Sequence, residues 1–164
     1  LDSLKHSVDG LSAAQLQYKP AADKWSVSQC LEHIVLAERM IFSFARQGMD
    51  KPAQPERRKE IKMKDEDLIK GINDRSHKAK ASKEMIGTGK YTNAAAALQE
   101  LENDRKNVLA YLDTVAVDNL RNHVSESPFG PLDGYQSFLF IPGHTSRHTL
   151  QIIEIKADPN FPKQ

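Results

Sequence analysis

Residues 135–157 read YQSFLFIPGHTSRHTLQIIEIKA, an apolar stretch that carries two histidines four positions apart. Its apolar and histidine positions recur at intervals of three or four residues, as on one face of an α-helix: Phe140, Ile141, His144, His148, Ile152 and Ile155. We therefore predict a helix from about Tyr135 to about Ala157, stopped by Asp158-Pro159, with both imidazoles facing inward. Because Pro142 lies inside it, we expect a kink or a local break there.

A second long helix is predicted from about Val27 to Gln47, ending at Gly48. Ser26 and Gln29 have the spacing of a capping box, and Trp25 precedes them where it can pack on the first turn. The apolar positions expected to face the core are Cys30, Ile34, Ala37, Met40, Ile41 and Phe44. His33 lies within this stripe, so two helices would carry three histidines into one interior.

The rest of the chain completes an all-α pattern. Periodic apolar positions predict helices over residues 1–10, 65–75 and 92–114, with a short helical turn over 12–17. Charged and turn-forming residues predict an exposed linker over 50–64 and a loop over 116–134, while residues 87–89 fit helical and extended structure equally well. Since no stretch convincingly indicates a strand or a repeat, we predict one domain over residues 1–164, a four-helix bundle with an accessory helix and long loops.

Composition and charge exclude several classes of protein. One cysteine, Cys30, cannot form an internal disulfide, which favours a reducing, cytoplasmic location. The net charge is +1 with both signs interspersed, so we expect no nucleic-acid partner, and no apolar run approaches the ~20 residues of a membrane span. The sequence starts at Leu1 with a pattern typical of a helix interior, so we expect a segment before it and leave open whether that is a leader peptide.

The inward histidines are the candidate metal ligands. Burying a polar group without a partner costs roughly 1–3 kcal/mol, and one metal ion would satisfy His33, His144 and His148 together. Histidines that hydrogen-bond only within the core are the alternative. The other three, His6, His77 and His123, have polar neighbours and are predicted to be solvated. Three imidazoles leave coordination positions open for water, which is typical of catalytic rather than structural sites, and such an ion lowers the pKa of bound water.

Four neighbours of the histidines have candidate roles. Gln151 lies on the same helix face and could hydrogen-bond water or a substrate, and Arg147 could bind an anionic substrate or form a surface ion pair. Glu32 points about 100° away from His33 and is not expected to be a ligand. Cys30 could be a soft ligand or a small buried apolar residue.

Four segments together resemble the DinB-like superfamily, the YfiT-type metal-dependent hydrolases. They are Trp25-Ser26-Val27, Glu32-His33-Ile34, the stretch PFGPLDGYQ over residues 128–136, and GHTSRH over 143–148 with Gln151-Ile152. The resemblance spans nearly the whole chain and implies a four-helix bundle of unusual topology. It also implies one divalent ion, nickel or zinc or a similar metal, bound by His33, His144 and His148.

The same resemblance implies a class of reaction without naming catalytic residues. It implies a metal-dependent hydrolase, or a transferase or isomerase that uses a low-molecular-weight thiol. A non-catalytic module, in which the metal organises a ligand pocket or supports the fold, is the competing hypothesis. The expected partner is a small-molecule substrate or ligand, and homodimers are expected. Residues 61–89 are longer than a minimal bundle needs, so the shape of the pocket is left open.

Overall fold

The computed structural model describes residues 1–76 and 81–163 of the chain. Within them lie seven α-helices, two short 3-10 turns and one pair of two-residue strands. The α-helices are α1 (Asp2–Val8), α2 (Ala13–Gln17), α3 (Val27–Met49), α4 (Asp65–Asn73), α5 (Ala94–Leu112), α6 (Val117–Arg121) and α7 (Gly134–Lys156). The 3-10 turns are Pro55–Glu60 and Lys83–Met85, and β1 (Val124–Ser125) pairs antiparallel with β2 (Leu132–Asp133). The predicted all-α class is confirmed.

Four of these helices close a ring around one core. Helix α7 packs on α3 and on α1, while α5 packs on α3. The ring closes between α1 and α5, where the Lys5 ammonium lies 2.7 Å from the Glu102 carboxylate. Each helix contributes to this core side chains whose solvent exposure is at most 1%, including Leu4, Ile34, Leu101 and Ile152. This is the predicted four-helix bundle.

Helix α4 is the accessory helix and packs on the outside of α7. Its apolar face, Leu68 and Ile72, is buried against Leu132 with Phe140 at the edge. Close approach depends on Gly143, because a Cβ atom at that position would lie 3.0 Å from Ile72 Cδ1. Helix α4 therefore covers the part of α7 from which His144 projects.

The helix directions explain why a long connection crosses the bundle. Residue numbers increase in the same direction along the contact between α3 and α5: Glu38 pairs with Arg105, and further along Arg46 lies over the Tyr111 ring. These two helices are therefore parallel. A parallel pair needs a crossover that returns along the bundle. Part of this crossover is the α4–α5 connection, described here as residues 74–76 and 81–93, which passes over His33.

The start of α3 is held by the predicted capping box. Ser26 Oγ accepts from the Gln29 amide at 3.1 Å, and Gln29 Oε1 accepts from the Ser26 amide at 3.0 Å. The helix continues through Gly48 to Met49, two residues beyond the prediction. Pro52 is the next strong stop, because the residue before a proline avoids helical angles.

Several sequence expectations require correction. Met40 and Phe44 are each 53% exposed, because the second half of α3 is covered on a narrower face than its periodicity suggested. His123 is buried rather than solvated, carried inside at the turn between α6 and β1. Short strands occur where none was expected, and α6 lies inside the predicted loop.

The remaining expectations concern Pro142, residues 87–89, His77 and membrane spans. Helix α7 is unbroken through Pro142, whose ring is exposed. Residues 87–89 follow the second 3-10 turn as irregular chain, and His77 lies outside the described residues. None of the helices in the described ranges has the length and apolar character needed to cross a membrane.

Candidate metal centre

Three histidines from two helices meet inside the bundle. His33 comes from α3, and His144 and His148 come from successive turns of α7. The distances between ring centroids are 5.0 Å for His33–His144, 4.4 Å for His33–His148 and 4.5 Å for His144–His148. Each ring offers one nitrogen, and the three nitrogens lie within 4.8 Å of one another. The predicted convergence of the three imidazoles is therefore present.

The Nδ1 atom of His33 faces the main-chain oxygen of Met85 at 2.7 Å. A carbonyl oxygen can only accept, so Nδ1 carries the proton and Nε2 keeps its lone pair. That lone pair is directed towards His144, whose Nε2 lies 3.3 Å away. Two nitrogens bound tetrahedrally to one ion at 2.0–2.1 Å would be about 3.3–3.4 Å apart. The spacing of these two rings thus fits a shared metal ion.

His148 also has an acceptor behind it. Its Nδ1 lies 2.9 Å from Gln151 Oε1, and the same oxygen lies 3.4 Å from Nη1 of Arg75, which follows α4. Metal-binding histidines commonly donate their second ring N–H in this way. The sequence predicted that Gln151 would contact water or a substrate; in the structure its oxygen contacts a candidate ligand, and the predicted role stays untested.

The environment of the rings favours neutral imidazole. Burial lowers the pKa of His33. Burial, with the neighbouring His33 and Arg147 adding to it, lowers the pKa of His144 to about 3. Burial also lowers the pKa of His148, to about 2, and the neighbouring His144 and His33 add to this effect. Neutral imidazole is the form that binds a metal ion, so the protons that would compete with a metal are disfavoured.

Aromatic side chains flank the three histidines on two sides. Trp25 meets the edge of His33 with ring centroids 4.9 Å apart and stacks on His148 at 6.1 Å. On the other side Phe140 stacks on His144 at 6.4 Å. Such rings exclude water and lower the local polarity around the nitrogens.

Arg147 is directed at the end of α4 and the start of the α4–α5 connection. Arg147 Nη1 donates to the main-chain oxygens of Ile72, at 2.8 Å, and Asp74. Its predicted role in binding an anionic substrate is not tested by these contacts.

The Glu32 carboxylate also faces the connection. It accepts hydrogen bonds from Thr88 Oγ1 and from the main-chain amides of Gly89 and Lys90. Cys30 is fully buried in the apolar core, where burial raises the pKa of its thiol to about 12.

Sequence reasoning missed three contributors to this centre. The Met85 acceptor is a main-chain atom, so no side-chain pattern could have revealed it. Arg75 belongs to a different element, and periodicity gives no information on its contact with Gln151. Trp25 was assigned only a packing role at the start of α3, although an aromatic residue that precedes a histidine-bearing helix is a detectable signal.

Comparison with known proteins places the chain in a family. "Uncharacterized protein YuaE" of Bacillus subtilis (strain 168) is 25% identical over 155 residues, which cover 92% of this chain and 89% of the relative. No solved structure gave a significant match. The family model for the DinB superfamily matches residues 1–152, which include all three histidines. Because that match covers most of its length, the chain belongs to the DinB superfamily.

Proposed function

We propose that this protein binds one divalent transition metal ion, nickel or zinc, through His33, His144 and His148, and uses it to hydrolyse a small molecule. The observation that carries the proposal is the 3.3 Å approach of the His33 and His144 Nε2 atoms. It is supported by the acceptor that holds Nδ1 of His33, since the Nε2 lone pair of His33 then needs either an N–H from the His144 ring or a metal ion opposite it.

The chain itself would contribute position, charge and exclusion of water. A bound ion would supply Lewis acidity, which polarises a carbonyl or phosphoryl group and makes water a better nucleophile near neutral pH. The buried histidines stay neutral, and Trp25 and Phe140 shield them. The sequence prediction that Arg147 binds an anionic group of the substrate is kept in this proposal, because its positive charge is close enough to act on His144.

Metal content is the first test. Protein prepared without a histidine tag should contain about one equivalent of nickel or zinc by elemental analysis. His33→Ala should lose it, while His6→Ala is the matched control because His6 is exposed on α1. A wild-type protein that takes up no transition metal, or a His33→Ala variant that keeps it, would overturn the proposed centre.

The reaction is tested separately on the metal-loaded protein. Turnover in a panel of esters, amides and phosphoesters should depend on the metal and be lost in His144→Ala. Turnover only when a low-molecular-weight thiol and an electrophile are supplied would favour the transferase alternative over hydrolysis. Metal binding that raises stability without any turnover would favour a non-catalytic ligand-binding module.

The predicted homodimer and the single-domain organisation stay predictions. Light scattering of the purified protein would measure its mass in solution, and a single cooperative unfolding transition would agree with one domain.

A further inference from the structure

A chain of hydrogen bonds runs from the α4–α5 connection to the back of His148. The Arg75 guanidinium binds the Glu154 carboxylate through two nitrogens, with Nε–Oε1 at 2.6 Å and Nη2–Oε2 at 2.7 Å. Its third nitrogen, Nη1, lies 3.4 Å from Gln151 Oε1, and that oxygen lies 2.9 Å from His148 Nδ1. Glu154 and Gln151 are neighbours on α7, so one arginine spans both.

Arg75 determines which atom of the Gln151 amide faces the histidine. A guanidinium has only donors, so the amide atom beside it must be the oxygen rather than the NH2 group. An amide oxygen can only accept, and His148 Nδ1 must therefore donate to it. With its proton on Nδ1, the ring keeps the Nε2 lone pair available for a ligand on its other side.

The support behind His148 differs from that behind His33. His33 donates to a main-chain oxygen, which no side-chain change at Met85 removes. His148 instead depends on a side chain one turn along its own helix, and that side chain depends on an arginine from another element. The side chain of Arg75 is 18% exposed, so its interactions are only partly screened by solvent.

We propose that Gln151 and Arg75 are positioning residues that hold His148 in the Nδ1–H tautomer and thereby set the metal affinity of the three-histidine centre. This inference rests on the proposed metal-binding function and adds the residues that set the affinity for the metal. Glu154 orients Arg75, Arg75 fixes the amide orientation of Gln151, and Gln151 Oε1 accepts the hydrogen bond from His148 Nδ1–H. Loss of such an outer partner typically weakens metal binding by roughly 10–100-fold.

The tautomer is measured on the metal-free protein, so this test does not need the proposed function to hold. In ¹⁵N-histidine-labelled protein, two-bond ¹H–¹⁵N correlations should show His148 with its proton on Nδ1. Gln151→Leu removes the acceptor, and we expect the signals to move towards the Nε2–H form. An unchanged Nδ1–H form in this variant would overturn the proposal.

Metal affinity is measured by competition between the protein and a chromophoric chelator for Zn²⁺. We expect Gln151→Leu to bind Zn²⁺ roughly 10–100-fold more weakly than wild type, and Arg75→Met to be weakened in the same direction. Gln151→Glu keeps an acceptor and should retain wild-type affinity or exceed it. Arg39→Met is the matched control, since Arg39 also pairs with acidic side chains, Glu100 and Asp104 of α5, and is not among the residues around the three histidines.

The outcomes separate the two ideas. Wild-type protein that binds neither Zn²⁺ nor Ni²⁺ would contradict the proposed function, while the tautomer measurement would still decide the positioning role. Wild-type protein that binds Zn²⁺ with an affinity unaltered in Gln151→Leu would contradict the positioning role and leave the centre standing. A loss in Gln151→Leu that Gln151→Glu restores would support it, because a merely structural defect would not be rescued by a changed charge.

Discussion

The buried environment of Cys30 should make the stability of the protein depend on pH in the alkaline range. It lies fully buried in α3, and burial raises the pKa of its thiol to about 12, against about 8.5 in an unfolded chain. Between these values the unfolded thiol ionises and the folded one does not. The stabilising contribution is therefore complete below about pH 8.5 and is lost as the pH rises towards 12, by at most about 1.4 kcal/mol per pH unit.

This loss is measured by comparing the wild type with Cys30→Ala. Denaturant unfolding at several values between pH 8 and 11 should show a steeper fall in the free energy of unfolding for the wild type. Other groups titrate equally in both proteins, so the difference in slope isolates the thiol. Equal slopes would mean that the thiol is not buried in the folded state.

Gly87 makes a close main-chain approach that a larger residue should not tolerate. A Cβ atom there would lie 2.6 Å from the Gln29 main-chain oxygen. We expect Gly87→Ala to push the α4–α5 connection away from α3 and to destabilise the protein by about 1–3 kcal/mol.

The matched control for Gly87 is Gly71, which lies within α4 and has only a ring atom of Phe129, 4.0 Å away, near its Cβ position. Gly71→Ala should be neutral or stabilising by up to ~1 kcal/mol, because alanine favours helix. Chemical denaturation of both variants measures the difference. Equal stability of the two variants would contradict the close approach at Gly87.

At this scale the sequence could predict the three histidines but not what lies behind them. Spacing on a helix places His144 and His148 on one face, and the capping box fixes the phase of α3 and so the direction of His33. Their acceptors depend on how the connection folds over the bundle. A main-chain oxygen such as that of Met85 has no sequence signature.

Between elements, one buried ion pair joins three helices of the ring. Arg105 of α5 binds Glu38 of α3 through Nε and Nη2, each at 2.8 Å, and lies 3.4 Å from Thr145 Oγ1 of α7. The Glu38 side chain is only 1% exposed. Removing one partner of a buried pair leaves an uncompensated charge, so we expect Arg105→Met to cost about 3 kcal/mol or more.

Arg39 offers the comparison within the same helix pair. It binds Glu100 and Asp104 of α5 with its side chain 48% exposed. Exposed ion pairs contribute little, so Arg39→Met should cost less than about 1 kcal/mol. Urea unfolding of both variants gives the two values. Comparable losses would show that burial of Glu38 has no special energetic weight.

The elements that the sequence located are those with long periodic faces or explicit caps. Helix α3 begins where its capping box predicts, and α7 ends within about a residue of its prediction. Helix α6 has five residues and each strand has two, too few for a periodic pattern, and they form because the surrounding helices position them. The exposure of Met40 and Phe44 had the same cause, since tertiary packing decides how wide a face is covered.

On the scale of the whole molecule, the helix order creates the centre. Parallel α3 and α5 force a crossover, and its α4–α5 connection supplies Met85 to His33 and Arg75 to Gln151. The same connection receives the Glu32 carboxylate at its Gly89 and Lys90 amides. The α4–α5 connection therefore contacts both the bundle and the candidate site. A ligand bound by the three histidines would hold α3 against α7.

Because a metal ion at the three histidines would join α3 to α7, we expect the stability of the folded protein to depend on metal. An ion that binds the folded state alone stabilises it by about 2.7 kcal/mol when its free concentration is one hundred times its Kd. For a chain of this size, we expect Zn²⁺ or Ni²⁺ to raise Tm by roughly 5–10 °C, and a chelator to reverse the rise. The proposed ligands lie on α3 and α7, so His33→Ala should abolish the rise.

His6→Ala distinguishes this centre from adventitious binding at an exposed histidine. His6 lies on α1, outside the convergence of the three rings, so its loss should leave the metal-induced rise in Tm intact. Scanning calorimetry of the wild type and both variants, with and without metal, gives the comparison. A rise that survives in His33→Ala but disappears in His6→Ala would place the stabilising ion on the surface at α1, away from the three inward histidines.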